Sequence, residues 1–137
     1  MKLVVDTNVL ISALIADSAT RTLLATVDVP LLAPERLRDE VEKHTDLIQE
    51  KSGLSEDEVE QSVENLFEHI ETVPRSEVEP FLQEARREIG ETDEDDVVFL
   101  ATALAEDANV WSDDTDFQKQ GLVPVYTTSD ILEEVSE

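Results

Sequence analysis

Four acidic positions in this chain lie where a solvated surface would not place a carboxylate. Acids occupy 34 of 137 positions, so an acid is informative only where its neighbours are apolar. The positions that pass are Asp6, Glu40, Asp96 and Asp114, with Asp116 close to the last. Carboxylates that converge in a poorly hydrated cleft raise their pKa values or bind a cation, and all-oxygen sites favour Mg²⁺ or Mn²⁺. Such ions activate water and stabilise charge on a phosphodiester, so the pattern predicts metal-dependent hydrolysis without a catalytic His or Ser.

Asp6 is the only charged residue between Leu3 and Ala16. The apolar run Leu3-Val4-Val5 predicts an inner strand, and the apolar segment from Asn8 to Ala16 predicts a helix after it. Asp6 therefore stands at the carboxyl edge of a parallel sheet, where open α/β sheets bind their ligands. The alternative role for Asp6 is the N-cap of the helix.

Glu40 belongs to a predicted amphipathic helix from Glu35 to Lys51. On a helical wheel of about 100° per residue, Glu40 lies about 60° from the apolar Leu37. The other acids of the segment fall on the opposite side: Glu35, Asp39, Glu42, Asp46 and Glu50. A carboxylate on the apolar side is costly unless a cation meets it. The alternative is that Glu40 lies at the margin and reaches water past Arg36.

Asp96 stands immediately before nine uncharged residues, Val97 to Ala105, a run typical of a helix buried on nearly all sides. The first turn of that helix should therefore point into the domain. The alternative is that acids crowd this helix N-terminus because its dipole favours them. Asp93 and Asp95 replace Asp96 as candidates if the register slips by a residue or more.

Three further acids follow the predicted strand Asn109-Val110-Trp111-Ser112, again at a carboxyl edge. Alternate residues of an extended segment point the same way, so Asp114 and Asp116 can share a ligand while Asp113 faces elsewhere. The alternative is a loop of ordinary surface acids.

The remaining elements predict one α/β domain over residues 1–137, with a parallel sheet and a helical hairpin at 35–70. Gly53 ends the first hairpin helix, and Ser55 with Glu58 forms a capping box that begins the second. A helix from Val78 ends at Gly90. The other predicted elements are a short helix through Val27, strands at 30–34, 71–73 and 123–126, and a C-terminal helix capped by Ser129.

Composition limits the classes of protein and cofactor. With no Cys there is neither a disulfide nor a thiolate zinc site, and no apolar run approaches the roughly 20 residues that cross a membrane. We therefore expect a cytoplasmic protein that does not bind membranes. The net charge of −24 would repel RNA in ordinary buffer, and a basic partner, a bound cation or a salt-rich cytoplasm can offset it. Scattered acids and only four Lys favour the last, a halophilic surface.

Four segments of the sequence resemble the PIN-domain family, which comprises metal-dependent nucleases and includes the VapC-type toxins of toxin–antitoxin pairs. The matching segments are Val5 to Leu10, Leu37 to Val41, Asp96 to Ala101 and Trp111 to Phe117. The resemblance implies a three-layer α/β/α sandwich with a central parallel sheet. It also implies a Mg²⁺ or Mn²⁺ site and endonucleolytic cleavage of RNA by metal-activated water.

Carried over residue by residue, the resemblance makes Asp6, Glu40, Asp96 and Asp114 catalytic metal ligands, with Asp116 a further acid near the metal. Asn8 and Ser112 become polar residues that orient those carboxylates. The implied partners are an RNA substrate and an antitoxin protein, and we expect a homodimer. The helical hairpin can supply a dimer contact or a wall of the substrate groove.

Two other functions stay open at this point. One is a catalytically silent PIN-like module whose acidic surface binds a basic protein. The other is a phosphatase or phospho-acceptor domain with Asp6 as nucleophile, although Asp6-Thr7-Asn8 lacks the second Asp of one such motif. His44 is interpreted as a packed or partly exposed histidine rather than a ligand, and Trp111 as a core residue.

Overall fold

The central feature of the fold is a five-stranded parallel sheet. The structure is a computed structural model and describes residues 1–15, 19–90 and 94–136. Within those ranges the strands are β1 (Leu3–Val5), β2 (Leu31–Pro34), β3 (Ile70–Val73), β4 (Asn109–Trp111) and β5 (Val125–Tyr126). Their order across the sheet is β3-β2-β1-β4-β5. Every pairing between neighbouring strands is parallel, as the alternation of strands and helices predicted.

The first strand occupies the centre of the sheet because it is apolar along its whole length. Leu3, Val4 and Val5 are fully buried, which is typical of a parallel strand covered on both faces. β1 pairs with β2 on one side and with β4 on the other, and Val5 lies opposite Trp111. The chain therefore leaves β1 toward β2 and β3, and later returns to the other side of β1. This reversal between β1 and β4 is the position at which open α/β sheets form a ligand crevice.

Helices cover the sheet in two groups. The described helices are α1 (Thr7–Ile15), α2 (Ala19–Thr26), α3 (Arg36–Glu42), α4 (Thr45–Ser52), α5 (Glu56–Phe67), α6 (Arg75–Val78), α7 (Leu82–Ile89), α8 (Glu94–Glu106) and α9 (Thr128–Ser136). Helix α1 contacts α2, α3, α4 and α5, whereas α8 contacts α6 and α7 and the strands β1, β2 and β4. The fold is thus the predicted α/β/α sandwich. Short 3-10 turns occur at Glu79–Phe81 and Phe117–Lys119.

Local stop and start signals place several helix ends where the sequence predicted them. Gly53 ends α4 at a φ of 76°, and Gly90 ends α7 at a φ of 83°, values that favour glycine. Ser55 and Glu58 form both hydrogen bonds of the capping box at the start of α5. The buried helix is also confirmed, because Val97 to Ala103 of α8 are all buried.

Two long helices expected from periodicity are divided in the structure. The segment 35–51 breaks after α3, where His44 leaves helical geometry at φ −101° and ψ 16° and precedes α4. The segment from Val78 breaks at the 3-10 turn that contains Pro80, because proline has no N–H for the helix ladder. An apolar stripe survives such breaks, so periodicity alone does not detect them.

The expected cap of the C-terminal helix at Ser129 is wrong. Helix α9 begins at Thr128, and the residue before it forms the cap. The Thr127 hydroxyl accepts from the Asp130 N–H at 3.1 Å, and the Asp130 carboxylate accepts from the Thr127 N–H at 2.9 Å. This reciprocal pair satisfies two backbone donors at once.

Within the described ranges, no single helix is both long enough and apolar enough to cross a membrane, although the bent pair α1 and α2 taken together has the required length and composition. Both helices of that pair contribute buried residues to the core.

Candidate active site

Asp6 follows the central strand and is 4% exposed, the most buried acid among the described residues. Its backbone N–H continues the ladder by donating to the Trp111 carbonyl at 3.0 Å. Its carboxylate Oδ2 accepts from the Ser112 hydroxyl at 2.7 Å, across 106 residues of sequence. The ends of β1 and β4 thus hold one carboxylate at the reversal point of the sheet.

A chain of hydrogen bonds extends from Asp6 into the loop after β4. The Ser112 hydroxyl, which donates to Asp6, accepts from the Asp114 N–H at 3.0 Å. The Asp114 Oδ1 in turn accepts from the Asp116 N–H at 2.9 Å. Ser112 is fully buried and therefore fixes the loop relative to the Asp6 carboxylate.

Burial and a neighbouring negative charge disfavour ionisation of Asp6. Burial is the largest cause that raises its pKa, and the charge of Asp114 raises it further. The hydrogen bond from Ser112 and the N–H groups of Thr7 and Asn8 act in the opposite direction. In the described part of the chain, no Lys or Arg forms an ion pair with Asp6 or Asp114. These two carboxylates therefore form an uncompensated negative pair.

Asp96 and Asp116 line a cleft of about 260 Å³ whose lining includes neither Asp6 nor Asp114, and the Asp116 N–H links it to the Asp114 carboxylate. Asp96 is half-buried in the first turn of α8, and Asp116 begins the 3-10 turn after β4. The loop after Ser112 is not an extended strand, so Asp114 and Asp116 are related by the hydrogen bond from the Asp116 N–H to the Asp114 carboxylate rather than by strand alternation. Asp116 is exposed and lies 3.4 Å from Lys119 Nζ.

Glu40 is turned inward, with 13% of its side chain exposed, and it meets two cations of its own helical segment. Its Oε1 lies 3.0 Å from Lys43 Nζ and 3.5 Å from Arg36 Nη2. The hydrogen bond from Lys43 is the largest cause that lowers the pKa of Glu40. Arg36 Nη2 also lies 2.6 Å from Asp95 Oδ1, so this arginine links α3 to the start of α8.

Three other residues were candidates from the sequence: Asn8, Asp93 and Asp95. Asn8 has an exposed side chain that makes no hydrogen bond to Asp6 among the described residues, and its backbone N–H contributes instead. Asp93 lies outside the described residues. Asp95 is engaged by Arg36, which leaves Asp96 as the acid of that turn that lines the cleft.

Asp113 has a structural role that sequence reasoning only partly anticipated. Its carboxylate accepts from the Thr128 N–H and from the Thr128 hydroxyl, both at 2.7 Å. The same hydroxyl accepts from the Trp111 Nε1–H at 3.1 Å. Asp113 therefore anchors the start of α9. Trp111 is fully buried in the core.

The carboxylate oxygens of Asp6 and Asp114 are suitable ligands for a hard divalent cation, although they do not form a complete coordination sphere. Among the described residues, no group of three or more His, Asp or Glu side chains is gathered into a ready metal cage. Mg²⁺, however, is usually bound by one or two carboxylates, with water and substrate phosphate completing its octahedron. The unpaired carboxylates of Asp6 and Asp114 suit that mode. The hydroxyl of Thr7, the residue after Asp6, is also buried and has no hydrogen-bond partner among the described residues.

Comparison with known proteins decides the family. A family model described as the PIN domain matches residues 4–136. The chain belongs to the PIN-domain family. PIN domains are generally metal-dependent nucleases, and Asp6 and Asp114 of this PIN domain lie at the ends of β1 and β4.

Among solved structures, this PIN domain is similar to the crystal structure of VapBC2 from Rickettsia felis bound to a DNA fragment from their promoter. The two share 14% sequence identity with a TM-score of 0.73, over 93% of this chain and 98% of the other. At that identity, the similarity establishes the fold. Comparison with curated proteins returned no match.

Proposed function

We propose that this PIN domain is a Mg²⁺- or Mn²⁺-dependent endoribonuclease that cleaves RNA phosphodiester bonds with metal-activated water. The observation that carries the proposal is the hydrogen-bonded series Asp6, Ser112 and Asp114 at the reversal point of the sheet. A buried carboxylate beside a second one, with no described Lys or Arg paired to either, favours a divalent cation. The ion, when bound, supplies the activated water and stabilises charge on the phosphodiester.

The chain's own residues divide the remaining work. Asp6 and Asp114 would hold the metal, and Ser112 orients the Asp6 carboxylate through its hydroxyl. Asp96 and Asp116 line the adjoining cleft, where they would bind the ion or its water. Glu40 would join them once its contacts with the half-exposed Arg36 and the exposed Lys43 rearrange.

The biological role that we propose is that of a toxin in a toxin–antitoxin pair. Family membership and the similarity of fold to VapBC2 support this role. We also propose that the protein is a single-domain homodimer in a salt-rich cytoplasm, because the net charge of −24 is tolerated best where ions screen it.

An RNA cleavage assay in molar KCl, with and without Mn²⁺, tests the enzyme. We expect cleavage that depends on Mn²⁺ or Mg²⁺ and is lost in Asp6→Asn and Asp114→Asn. Asp46→Asn removes the same charge from an exposed position on α4 and should cleave normally. Full activity in Asp6→Asn would refute the site.

Calorimetric titration of Mn²⁺ separates the nuclease from a silent PIN-like module. The nuclease should take up the metal in molar KCl, and Glu40→Gln should weaken that uptake if Glu40 is a ligand. No uptake, combined with tight binding of a basic protein, would favour the silent module. Trapping of a phospho-aspartate at Asp6 would instead support a phospho-acceptor.

A further inference from the structure

Four of the six arginines of this acidic chain border two adjoining depressions on one side of the molecule. The first, here called the arginine groove, has a volume of about 740 Å³ and is lined by Arg75, Glu79, Leu82, Gln83, Arg86 and Arg87. Three cations and one acid line it, in a chain where acids outnumber cations 34 to 10. This charge balance is the reverse of that of the whole protein.

The arginine groove adjoins a second cleft that reaches the carboxyl edge of the sheet. Arg75 and Leu82 also line this smaller cleft of about 170 Å³, which reaches Pro34 and Val73 at the carboxyl ends of β2 and β3. Arg36 lines the smaller cleft together with the acids Glu35 and Asp39, and it forms an ion pair with Asp95, the neighbour of Asp96. Guanidinium groups therefore lie along the way from α7 to the edge of the sheet at which β1 and β4 hold Asp6.

Several of these arginines lie near one carboxylate, Glu94, at the start of α8. Arg86 Nη2 lies 2.5 Å from Glu94 Oε1, and this hydrogen bond is the largest cause that lowers the pKa of Glu94. The charges of Arg36 and Arg75 lower the same pKa, so three arginines lie within electrostatic range of one carboxylate. Arg87 is exposed and forms no ion pair with any described residue.

We propose that the arginine groove binds the phosphodiester backbone of single-stranded RNA and leads the strand to the acidic site; this inference rests on the proposed ribonuclease function. A net charge of −24 repels a polyanion, so binding requires a local surface of opposite sign. The cations of the groove are all arginines, whose planar forks bind phosphate oxygens in pairs and are less strongly hydrated than lysine. An acidic protein segment is the competing occupant, but the adjoining cleft reaches the same edge of the sheet as Asp6, and this position favours the nucleic acid.

Binding is measured without catalysis, by fluorescence polarisation of a short labelled oligouridine RNA with the full chain in EDTA. The variant is Arg75→Gln with Arg87→Gln, two exposed positions on α6 and α7. The control is Arg38→Gln with Lys51→Gln, which changes the net charge equally at a half-exposed and an exposed position outside the groove. Thermal unfolding followed by circular dichroism verifies the fold of each protein.

Each phosphate contact with a single strand contributes about 0.7 to the slope of log affinity against log salt. The slope for the double variant should therefore be smaller by about 1.4 than that of the wild type. As KCl is lowered from about 2 M to about 0.2 M, the RNA affinity of the double variant should fall about 25-fold further below that of the wild type. The control should keep the wild-type slope. Glu79→Gln, which removes the groove's acid and its 3.1 Å contact with Arg75, should bind the RNA more tightly. Glu64→Gln, which removes a partner of Arg38, should leave the affinity unchanged.

Equal slopes for the double variant and its control would overturn the inference, as would a wild type that does not bind RNA. Binding of polyglutamate, but not RNA, through the same arginines would assign the groove to a protein segment instead. The cleavage result for Asp6→Asn is independent of all these outcomes. Loss of cleavage in Asp6→Asn with unchanged binding in the arginine variant would retain the nuclease and reject the groove.

Discussion

Replacement of Ser112 by alanine tests the central hydrogen-bond series directly. Ser112→Ala removes the donor to Asp6 at 2.7 Å and the acceptor of the Asp114 N–H at 3.0 Å. A hydrogen bond to a charged group contributes about 1.5–3 kcal/mol, and the half-buried Asp114 N–H can recover part of its loss from water. We therefore expect Ser112→Ala to lower the free energy of unfolding by about 2–3 kcal/mol. At about 4 °C per kcal/mol for a chain of this size, the melting temperature should fall by roughly 8–12 °C.

The same substitution should weaken metal binding about 10- to 100-fold, the usual effect of losing a residue that orients a ligand. Thermal melts and Mn²⁺ titration in molar KCl measure the two effects on one sample. Thr102→Val is the matched control, because the Thr102 hydroxyl is fully buried and donates to the Val98 carbonyl at 2.7 Å, away from Asp6. That control should cost about 0.5–1.5 kcal/mol and leave Mn²⁺ affinity unchanged. If Ser112→Ala matches the control in both measurements, the reasoning about Asp6 fails.

Three further substitutions test the roles of Asp6, Asp113 and Ser55. Burial raises the pKa of Asp6 above its ordinary 3.8, so its contribution to stability is fully present below pH 3.8 and is lost as the pH rises through the folded-state value. In the metal-free protein, Asp6→Asn should therefore melt higher than the wild type at pH 7, and the difference should shrink toward pH 4; a lower melting temperature at pH 7 would contradict this. Asp113→Ala removes both contacts with Thr128 and should lower the free energy of unfolding by about 1–2 kcal/mol. The Mn²⁺ affinity of this variant should equal that of the wild type, and a loss of metal binding would show that Asp113 belongs to the site. Ser55→Ala should cost about 1 kcal/mol through the capping box, measurable by urea unfolding, and cleavage should be unaffected.

Features with a local physical cause could be predicted from the sequence. The apolar run before Asp6 specifies a strand buried on both faces, and the nine uncharged residues after Asp96 specify a buried helix. The capping box at Ser55 and the glycine at 53 mark helix ends because they satisfy particular backbone groups. Each of these signals acts within a few residues, so a single sequence contains it.

Features that depend on distant pairing could not be predicted in the same way. The sheet order places β4 beside β1, and nothing in either strand specifies that neighbour. The anchoring of α9 by Asp113 spans 15 residues without any periodic pattern. The contacts of Glu40 with Arg36 and Lys43 do follow helical spacing, and the sequence therefore contained a signal for them.

The bond between Asp6 and Ser112 has a consequence for synthesis of the protein on the ribosome. Its two partners are separated by 106 residues, so the chain from β1 through β4 must leave the exit tunnel before they can meet. Until β4 inserts beside β1, the nascent chain carries a carboxylate without its neighbour. If the carboxylates form the proposed nuclease site, that site is therefore incomplete until β4 has been synthesised and has folded.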